Sequence, residues 1–218
     1  CRGSDHMRYW KTKHIAKPYK VGIGVAAYLN EDERHRHALR CLVASFQAQT
    51  WQNWKMLIVH DGPVVGAEND AVLNAFEVTD KRVVVVRTSE RLQQFGHPHR
   101  QLAIDSLTKE CDWITLTNQD NYYVPVFVEW LLFTGTATPG CGLVHCDMVH
   151  SHKNWKPLVT EPRYKHLDLG GFMVKSSVAA QVPFDNFAFN GDGDWINRLV
   201  SKVRNHVQHV PATLFVHN

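Results

Sequence analysis

The sequence lacks the features that would place it in a membrane-spanning or nucleic-acid-binding class. No apolar run approaches the roughly 20 residues of a transmembrane helix, so we expect no membrane-spanning segment. Lys and Arg outnumber Asp and Glu by only 24 to 21, a formal net charge of +3, which is too small to indicate a nucleic-acid partner. With 44% hydrophobic and 21% charged residues, the chain is typical of a soluble globular protein.

Cysteine is scarce, and no signal-peptide pattern accompanies it. One of the five cysteines lies in the opening CRGSDH, which is typical of an expression scar over residues 1–6, so we expect the native domain to span 7–218. The other four do not indicate a disulfide framework without a secretory signal, and we expect reduced thiols in a cytoplasmic protein. A mild excess of basic residues over 8–20 and 202–204 is compatible with peripheral contact with a membrane.

Glycine-rich phosphate loops are absent as well. Neither a G-x-G-x-x-G nor a G-x-x-x-x-G-K-[ST] pattern occurs. If the ligand carries a diphosphate, a divalent cation held by oxygen ligands is the natural way to neutralise it.

Short apolar runs alternate along the chain with segments of helical period. Strands are expected at 21–28, 56–59, 83–86, 113–117, 143–146 and 171–175. Helices are expected at 32–50, 68–76, 98–109, 126–133, 176–181 and 192–203. Residues 147–168 read as a long surface loop and 213–218 as a short tail. This alternation predicts a single α/β domain with a mainly parallel central sheet and helices on both faces.

Polar side chains follow the predicted strands, where open α/β sheets bind their ligands. These side chains form a row that contains an aromatic ring, carboxylates and an arginine. Such a row suits an anionic ligand that carries a ring and is held together with a cation. The members of this row are Tyr28, Asn30, His60, Asp61, Arg87, Asn118, Gln119, Asp120, Asn121 and Asp147. The tetrapeptide NQDN at 118–121 is either a turn, since Asn and Asp favour turns, or part of this site.

Five segments, in order, resemble family 2 glycosyltransferases. They are 45-SFQAQTWQNWKMLIVHDGP-63, 113-WITLTNQDNYYVPVFVEWLL-132, 170-GGFMVKSSV-178, 192-DGDWINRL-199 and the terminal 216-VH-217. The resemblance implies a Rossmann-like GT-A fold with a donor-binding half at about 20–121 and an acceptor half at about 122–218.

The resemblance assigns a metal loop to NQDN. Asn118 stands where the family's D-x-D motif has its first Asp, and Asp120 stands in the third position. Asp120 is thereby implied as a ligand of Mn²⁺ or Mg²⁺, with Asn118 and Gln119 beside it in the donor site and His217 closing the metal site from the tail. The Asn in place of Asp keeps an oxygen ligand but removes one charge.

The nucleotide subsite follows from the same resemblance. Tyr28 matches the tyrosine that packs on the nucleobase and Asp61 the carboxylate that bonds to its edge. His60 replaces the first Asp of that pair, and Asn30 follows the same strand as Tyr28. Arg100, in 96-GHPHRQ-101, matches an arginine close to the base and diphosphate; its alternative is a surface position on a helix.

On the acceptor side, Asp192 aligns with the carboxylate of the family's Glu-Asp pair, the general base of inverting transfer. A base is required because the acceptor hydroxyl attacks only as it loses its proton. Gly191 replaces the Glu, Asp194 is the nearest alternative carboxylate, and Asp192 alternatively serves as a helix N-cap. Trp155, in the irregular loop, is the expected surface for stacking an acceptor sugar.

A zinc site is a rival interpretation of the segment 141-CGLVHCDMVHSH-152. Cys141, Cys146, His150 and His152 are residue types that zinc accepts. Their spacing fits no standard zinc finger, and neighbouring residues of a strand point to opposite faces of the sheet.

Together these features predict an enzyme that moves a sugar from a nucleotide-diphosphate donor, with UDP as the expected nucleotide, to a hydroxyl of a glycan or other acceptor. The expected reaction inverts the anomeric centre and depends on Mn²⁺ or Mg²⁺. The alternatives are another nucleotide-sugar-processing enzyme and a catalytically silent module that binds a sugar nucleotide or a glycan.

Overall fold

The structure, a computed structural model, describes residues 18–218. The expression scar predicted at 1–6 and most of the basic segment at 8–20 lie outside this range. The first half of the described chain alternates strands and helices: β1 (Val21–Ala27), α1 (Glu33–Gln47), β2 (Trp54–His60), α2 (Ala67–Thr79), β3 (Val83–Arg87), α3 (His97–Leu107) and β4 (Trp113–Asn118).

The second half is less regular. Its elements are β5 (Tyr122–Tyr123), α4 (Phe127–Ala137), β6 (Leu143–His150), β7 (Lys156–Leu158), β8 (Phe172–Lys175), α5 (Ser176–Ala179), α6 (Gly191–Val203) and β9 (Val207–His217). Short 3₁₀ turns lie at Gln94–Gly96, Ser151–Lys153 and Leu169–Gly171.

One mixed sheet contains the strands in the order β3-β2-β1-β4-β8-β6-β9-β5, with β7 paired to β6. The ladders β3-β2, β2-β1 and β1-β4 are parallel, as is the long β6-β9 ladder. The ladders of β8, β7 and β5 with their neighbours are antiparallel and shorter. The predicted single α/β domain with a mainly parallel sheet is confirmed.

Side chains alternate between two apolar cores, one on each face of the sheet. Met56 and Ile58 of β2 pack into the first core with α1 and α4. Leu57 and Val59 of the same strand pack into the second core with α3 and α6. This period of two is what a strand covered on both faces requires, and it confirms helices on both faces.

Side-chain hydrogen bonds fix where two of the helices begin. Asp32 precedes α1, and its carboxylate accepts a hydrogen bond from the amide of Arg34, as an N-cap does. The start of α4 has no capping side chain of its own. Instead the buried Gln49 accepts a hydrogen bond from the Val128 amide at 2.9 Å, which satisfies one of the free amides at that helix start.

Two segments differ from the sequence-based prediction. Residues 147–168 are not one loop, because β6 continues to His150 and β7 pairs back onto it. The tail is also longer than predicted, since β9 begins at Val207 and runs parallel to β6. The ladder skips from Val210 to Thr213 around Pro211, a residue that cannot donate to a ladder and so occurs at bulges. That bulge hides the strand pattern in the sequence.

Within residues 18–218, no helix has the length and apolar character needed to cross a bilayer.

Candidate functional site

A cleft of the described chain lies at the carboxyl ends of β1, β2 and β4. Since β1 is parallel to both of its neighbours, the segments that follow these strands meet at one edge of the sheet. Their side chains and the segment 91–96 enclose a cleft of about 520 Å³. Six of the residues predicted for the donor site line it: Tyr28, Asp61, Arg100, Asn118, Gln119 and Asp120.

Gln119 joins the ends of β1 and β4. Its side-chain oxygen accepts a hydrogen bond from the Tyr28 amide at 2.6 Å, and its nitrogen donates to the Tyr28 carbonyl at 3.1 Å. Because both polar groups of the side chain are bound to backbone, Gln119 positions Tyr28.

The ring of Tyr28 carries a cation on one face. The guanidinium carbon of Arg91 lies 3.6 Å from the ring centroid, well inside the distance at which a cation–π contact is effective. The same guanidinium donates from Nε and Nη2 to Oδ2 of Asp61, at 3.3 and 3.2 Å. Arg91 therefore bridges the two side chains predicted to contact the nucleobase.

Asp61 is a buried carboxylate whose oxygens are both engaged. Oδ1 accepts hydrogen bonds from the amides of Leu92 and Gln93, at 2.6 and 3.3 Å, and His99 Nε2 lies 3.1 Å from it. Burial acts to raise the pKa of Asp61, but these amides, together with His99 and Arg91, lower it below its ordinary value. Asp61 is therefore a fixed negative charge.

His60 is fully buried and holds the backbone behind the cleft. Its Nε2 accepts a hydrogen bond from the Leu29 amide at 3.1 Å, so the proton resides on Nδ1, which lies 2.9 Å from the Gly62 carbonyl. Burial lowers its pKa. In this structure His60 has no surface open to the cleft, and its role there is to position the turn that carries Asp61.

Asn30 also shapes the backbone rather than the cleft. Its side-chain oxygen accepts a hydrogen bond from the Asp32 amide at 2.9 Å, and its carbonyl accepts one from Asn69. These bonds set the approach to α1, and Asn30 is not among the residues that line the cleft.

Arg100 lies on the buried side of α3, beneath the cleft, so the alternative of a surface helix position is wrong. Its Nη1 donates to the Phe95 carbonyl at 2.7 Å and lies 2.8 Å from His97 Nδ1. Its Nη2 donates to Oδ1 of Asn118. Burial lowers the pKa of Arg100 to about 10, while Asp192 acts to raise it. The guanidinium remains charged at neutral pH.

The bond from Arg100 explains part of the departure at Asn118. The amide oxygen of Asn118, which would stand in for the first carboxylate of a D-x-D motif, is directed at Arg100. The peptide turn that follows places Asp120 in the cleft.

A second carboxylate, that of Asp168, lies near enough to Asp120 to influence its pKa. Reduced solvation in the cleft raises the pKa of Asp120, and the nearby Asp168 acts in the same direction while His217 opposes it. His217 Nε2 lies 3.4 Å from Asp168 Oδ2. Like charges close together disfavour ionisation, and a divalent cation with oxygen ligands would relieve that repulsion.

The carboxylate oxygens of Asp120 and Asp168 are ligands of the kind that Mn²⁺ or Mg²⁺ prefers. These two side chains and His217 do not, however, converge on one point. Within residues 18–218, no three His, Cys, Asp or Glu side chains converge closely enough to hold an ion. Asp168 was not anticipated from the sequence, because it lies in a stretch with no readable period.

Asp192 lies in the first turn of α6, close enough to Arg100 and His97 to influence the pKa of each. Its Oδ1 accepts a hydrogen bond from the Gly193 amide at 2.7 Å. Asn190, and not Asp192, is the residue at the N-cap of this helix.

The residues beside Asp192 differ in their surroundings. A Cβ placed on Gly191 would lie 1.9 Å from the carbonyl oxygen of Asn186, so the Glu found in the resembling family has no room here. Asp194, expected on the acceptor side, pairs with Arg198 one helical turn away at 2.9 Å. That ion pair holds Asp194 on the helix surface.

Trp155 is 56% exposed. It follows the 3₁₀ turn after β6, in the left-handed region with φ of 58°, and its amide donates to the His150 carbonyl. The ring is thus free to meet a ligand, as the acceptor-stacking prediction requires.

The rival zinc set does not come together. Cys141 and Cys146 are fully buried, and their thiols donate to the carbonyls of Leu143 and Gly171. Burial raises the pKa of both thiols, which disfavours the thiolate that zinc binds.

Comparison with solved structures places this fold beside S. aureus TarS. One TarS crystal structure matches with a TM-score of 0.71 at 10% sequence identity, covering 91% of this chain and 36% of TarS. TarS 1–349, alone and in complex with UDP, matches with TM-scores of 0.70 at 10% identity, covering 91% and 90% of this chain and 60% of each TarS chain. This chain therefore spans 36 to 60% of the length of these neighbours.

Neither a protein-family model nor a curated protein sequence matches the chain. At 10% identity the structural likeness shows the fold alone, which is a Rossmann-like α/β fold of the GT-A type.

Proposed function

We propose that this protein is a glycosyltransferase that moves a sugar from a nucleotide-diphosphate donor, with UDP as the nucleotide, to a hydroxyl of a glycan or other acceptor. The observation that carries the proposal is the composition of the cleft at the strand ends. An aromatic ring, an ionised carboxylate and a buried arginine meet there, in a fold similar to that of a protein solved in complex with UDP.

Each of these groups suits one part of the donor. Tyr28 offers a ring on which a nucleobase stacks, and Asp61 accepts hydrogen bonds from the edge of the base. Arg100 supplies a positive charge below the cleft, where a diphosphate would gain from it. Tyr28 and Asp61 are held in place by backbone hydrogen bonds, so the subsite is preorganised.

Asp192 is the proposed general base. It takes the proton of the acceptor hydroxyl while the acceptor oxygen bonds to the anomeric carbon. The bond between that carbon and the diphosphate oxygen breaks, the leaving nucleotide takes the electron pair, and attack from the opposite side inverts the centre.

Asp120 and Asp168, with His217, would hold Mn²⁺ or Mg²⁺. The ion would supply positive charge for the diphosphate of the leaving nucleotide.

A catalytically silent sugar-nucleotide or glycan-binding module is the second candidate. Two observations favour it: Asn118 has its amide oxygen bound to Arg100, and Gly191 leaves no space for a second carboxylate before Asp192. Both changes remove charge from a catalytic centre without removing the nucleotide subsite.

Nucleotide release separates the two candidates. The purified protein is incubated with UDP-, GDP- and dTDP-sugars, with and without Mn²⁺, and release of nucleotide is measured beside binding by calorimetry. Slow, Mn²⁺-stimulated release that is lost in Asp120→Asn is the expected result. Binding without release would favour the module, and an absence of binding to every donor would refute both the transferase and a module that binds a sugar nucleotide.

A further inference from the structure

Arg91 lies where the proposed function puts the nucleobase. We infer that Arg91 occupies the nucleobase subsite of the ligand-free protein and must leave it when a nucleotide binds. This inference rests on the proposed function. It adds a residue that sets donor affinity by competing with the donor.

The guanidinium makes the same two kinds of contact that a nucleobase would make. It is planar and lies 3.6 Å above the Tyr28 ring, which is stacking distance. It also donates two N–H groups to Oδ2 of Asp61. A base that uses this ring face and this oxygen therefore cannot bind until Arg91 moves.

The backbone holds Arg91 over the cleft. Gly62 has φ of 84°, and a Cβ built on it would lie 2.6 Å from Arg91 Cγ and 3.1 Å from the Arg91 amide nitrogen. The Gly62 amide donates to Thr88 Oγ1 at 2.7 Å, which ties the two turns together. The loop is thus fitted closely against the turn that carries Asp61.

The side chain can nevertheless leave at small cost. It is 44% exposed, so the guanidinium can regain water on rotating outward. Asp61 stays ionised after that rotation, because the amides of Leu92 and Gln93 still bind its carboxylate. Departure of Arg91 therefore frees one carboxylate oxygen and one ring face.

The backbone that follows Arg91 is strained. Gln93, Gln94 and Phe95 have φ of 55°, 48° and 58°, and Gly96 follows with 77°. Three consecutive non-glycine residues in the left-handed region are uncommon, and such strain gathers at ligand clamps. All four residues line the cleft.

The test is calorimetric titration of UDP into four proteins: the wild type, Arg91→Ala, Arg91→Lys and Arg87→Ala. Lysine keeps the charge but loses the planar stack and the forked donors. Arg87 was expected in the row of ligand-facing side chains, but the structure places it outside the cleft, where it donates to Asn74 and Asp70. Arg87→Ala is therefore the matched loss of one charge away from the cleft. We expect UDP to bind roughly 5- to 30-fold more tightly to both Arg91 variants, from the strengths of an exposed cation–π contact and an exposed ion pair. Arg87→Ala should stay within about twofold of the wild type.

Equal or weaker UDP binding by both Arg91 variants would overturn the inference and leave the proposed function standing. If UDP, GDP and dTDP bind to none of the four proteins, the proposed function fails and the inference fails with it. Binding to the Arg91 variants alone would support both.

A second readout follows Arg91 directly. In the wild type, its Nε–H resonance is expected to be shifted upfield by the ring current of Tyr28, and Arg91→Lys assigns that peak. Saturating UDP should move the peak to the position of a solvated arginine. A peak that keeps its upfield shift when UDP is bound would show that Arg91 stays on the ring, contrary to the inference.

Discussion

Tyr28 offers one ring face to two groups, the guanidinium of Arg91 and an incoming base. Tyr28→Ala is expected to weaken UDP binding by roughly 1–3 kcal/mol when Arg91 is already Ala, on the scale of base–aromatic stacking. In the wild-type background the loss should be smaller, because the substitution also removes the stack that keeps Arg91 in the subsite. Calorimetry on the two single variants and the double variant measures the difference as a coupling free energy. Additive effects would mean that the two groups do not compete for the ring.

At Asp192 the expected change is in the rate of transfer and not in donor affinity. Asp192→Asn should lower turnover by roughly 10²- to 10⁴-fold, the usual range for a lost general base, while UDP affinity stays near that of the wild type. Steady-state release of nucleotide and calorimetry together check this.

Asp194→Asn is the matched control for Asp192→Asn. Asp194 pairs with Arg198 on the helix surface, and an exposed pair of this kind contributes little to stability. Turnover should therefore be unchanged. An inactive Asp194→Asn beside an active Asp192→Asn would assign the base to the other carboxylate.

Side chains that meet only through the fold were the hardest to anticipate. Arg91 lies in a loop between β3 and α3, and nothing in its neighbours along the chain indicates that it stacks on Tyr28. Asp168 likewise lies close enough to Asp120 and Arg100 to influence the pKa of each, although its neighbours along the chain give no sign of this. By contrast Tyr28, Asp61 and Asp120 were predicted because each follows a readable strand, and that position alone puts it at the ligand-binding edge.

At the scale of the element, helix α6 begins with two glycines that meet different neighbours. A Cβ on Gly191 would collide with the backbone oxygen of Asn186, whereas a Cβ on Gly193 would collide with the ring of Tyr164. The half-exposed ring can rotate, but the carbonyl moves only with its loop. Gly191→Ala is therefore expected to destabilise the protein by roughly 1–3 kcal/mol.

For Gly193→Ala we expect a cost smaller by at least about 1 kcal/mol, because the gain in helix propensity offsets part of the strain. Urea unfolding of both variants measures the difference. Equal losses would mean that the loop at Asn186 yields as easily as the tyrosine ring.

Strands with continuous apolar runs were predicted to within a few residues, whereas the long β9 was predicted only as a short tail. The run 83-VVVV-86 reads directly as β3, since four β-branched residues favour a strand. In β9, Pro211 falls at the bulge and His209 and Gln208 interrupt the apolar residues, so no period of two is visible. The length of β9 is set by its pairing with β6. The pattern of residues in β9 does not indicate which strand it pairs with.

For the whole molecule, buried histidines predict a loss of stability in mild acid. Burial lowers the pKa of His97 and of His145 to about 4, and it also lowers the pKa of His60 and His99. These rings are neutral in the folded protein, but in the unfolded chain they take up a proton below about pH 6.5. Their stabilising contribution is therefore present above about pH 6.5 and is lost as the pH falls towards 4.

In urea unfolding at pH 7.5, 6.5, 5.5 and 5.0, the free energy of unfolding should decrease as the pH is lowered. The decrease should approach about 1 kcal/mol per pH unit for each such histidine. His145→Gln serves as the control, because it removes one titrating ring. The variant is expected to be less stable at every pH. The slope of its free energy of unfolding against pH should, however, be smaller by the contribution of about one proton taken up on unfolding. An unaltered slope would mean that His145 is protonated in the folded state.

The hydrogen bonds between Tyr28 and Gln119 join residues 91 positions apart in the chain. Closing so long a segment is entropically costly, and non-local parallel pairing is slow. These hydrogen bonds form the floor of the cleft. The floor is consequently absent from any folding intermediate in which β4 has not yet paired with β1. A nucleotide that binds this floor stabilises only chains that have completed the pairing. During refolding the donor would then bind only molecules in which β4 has paired with β1, and its binding would report that long-range step.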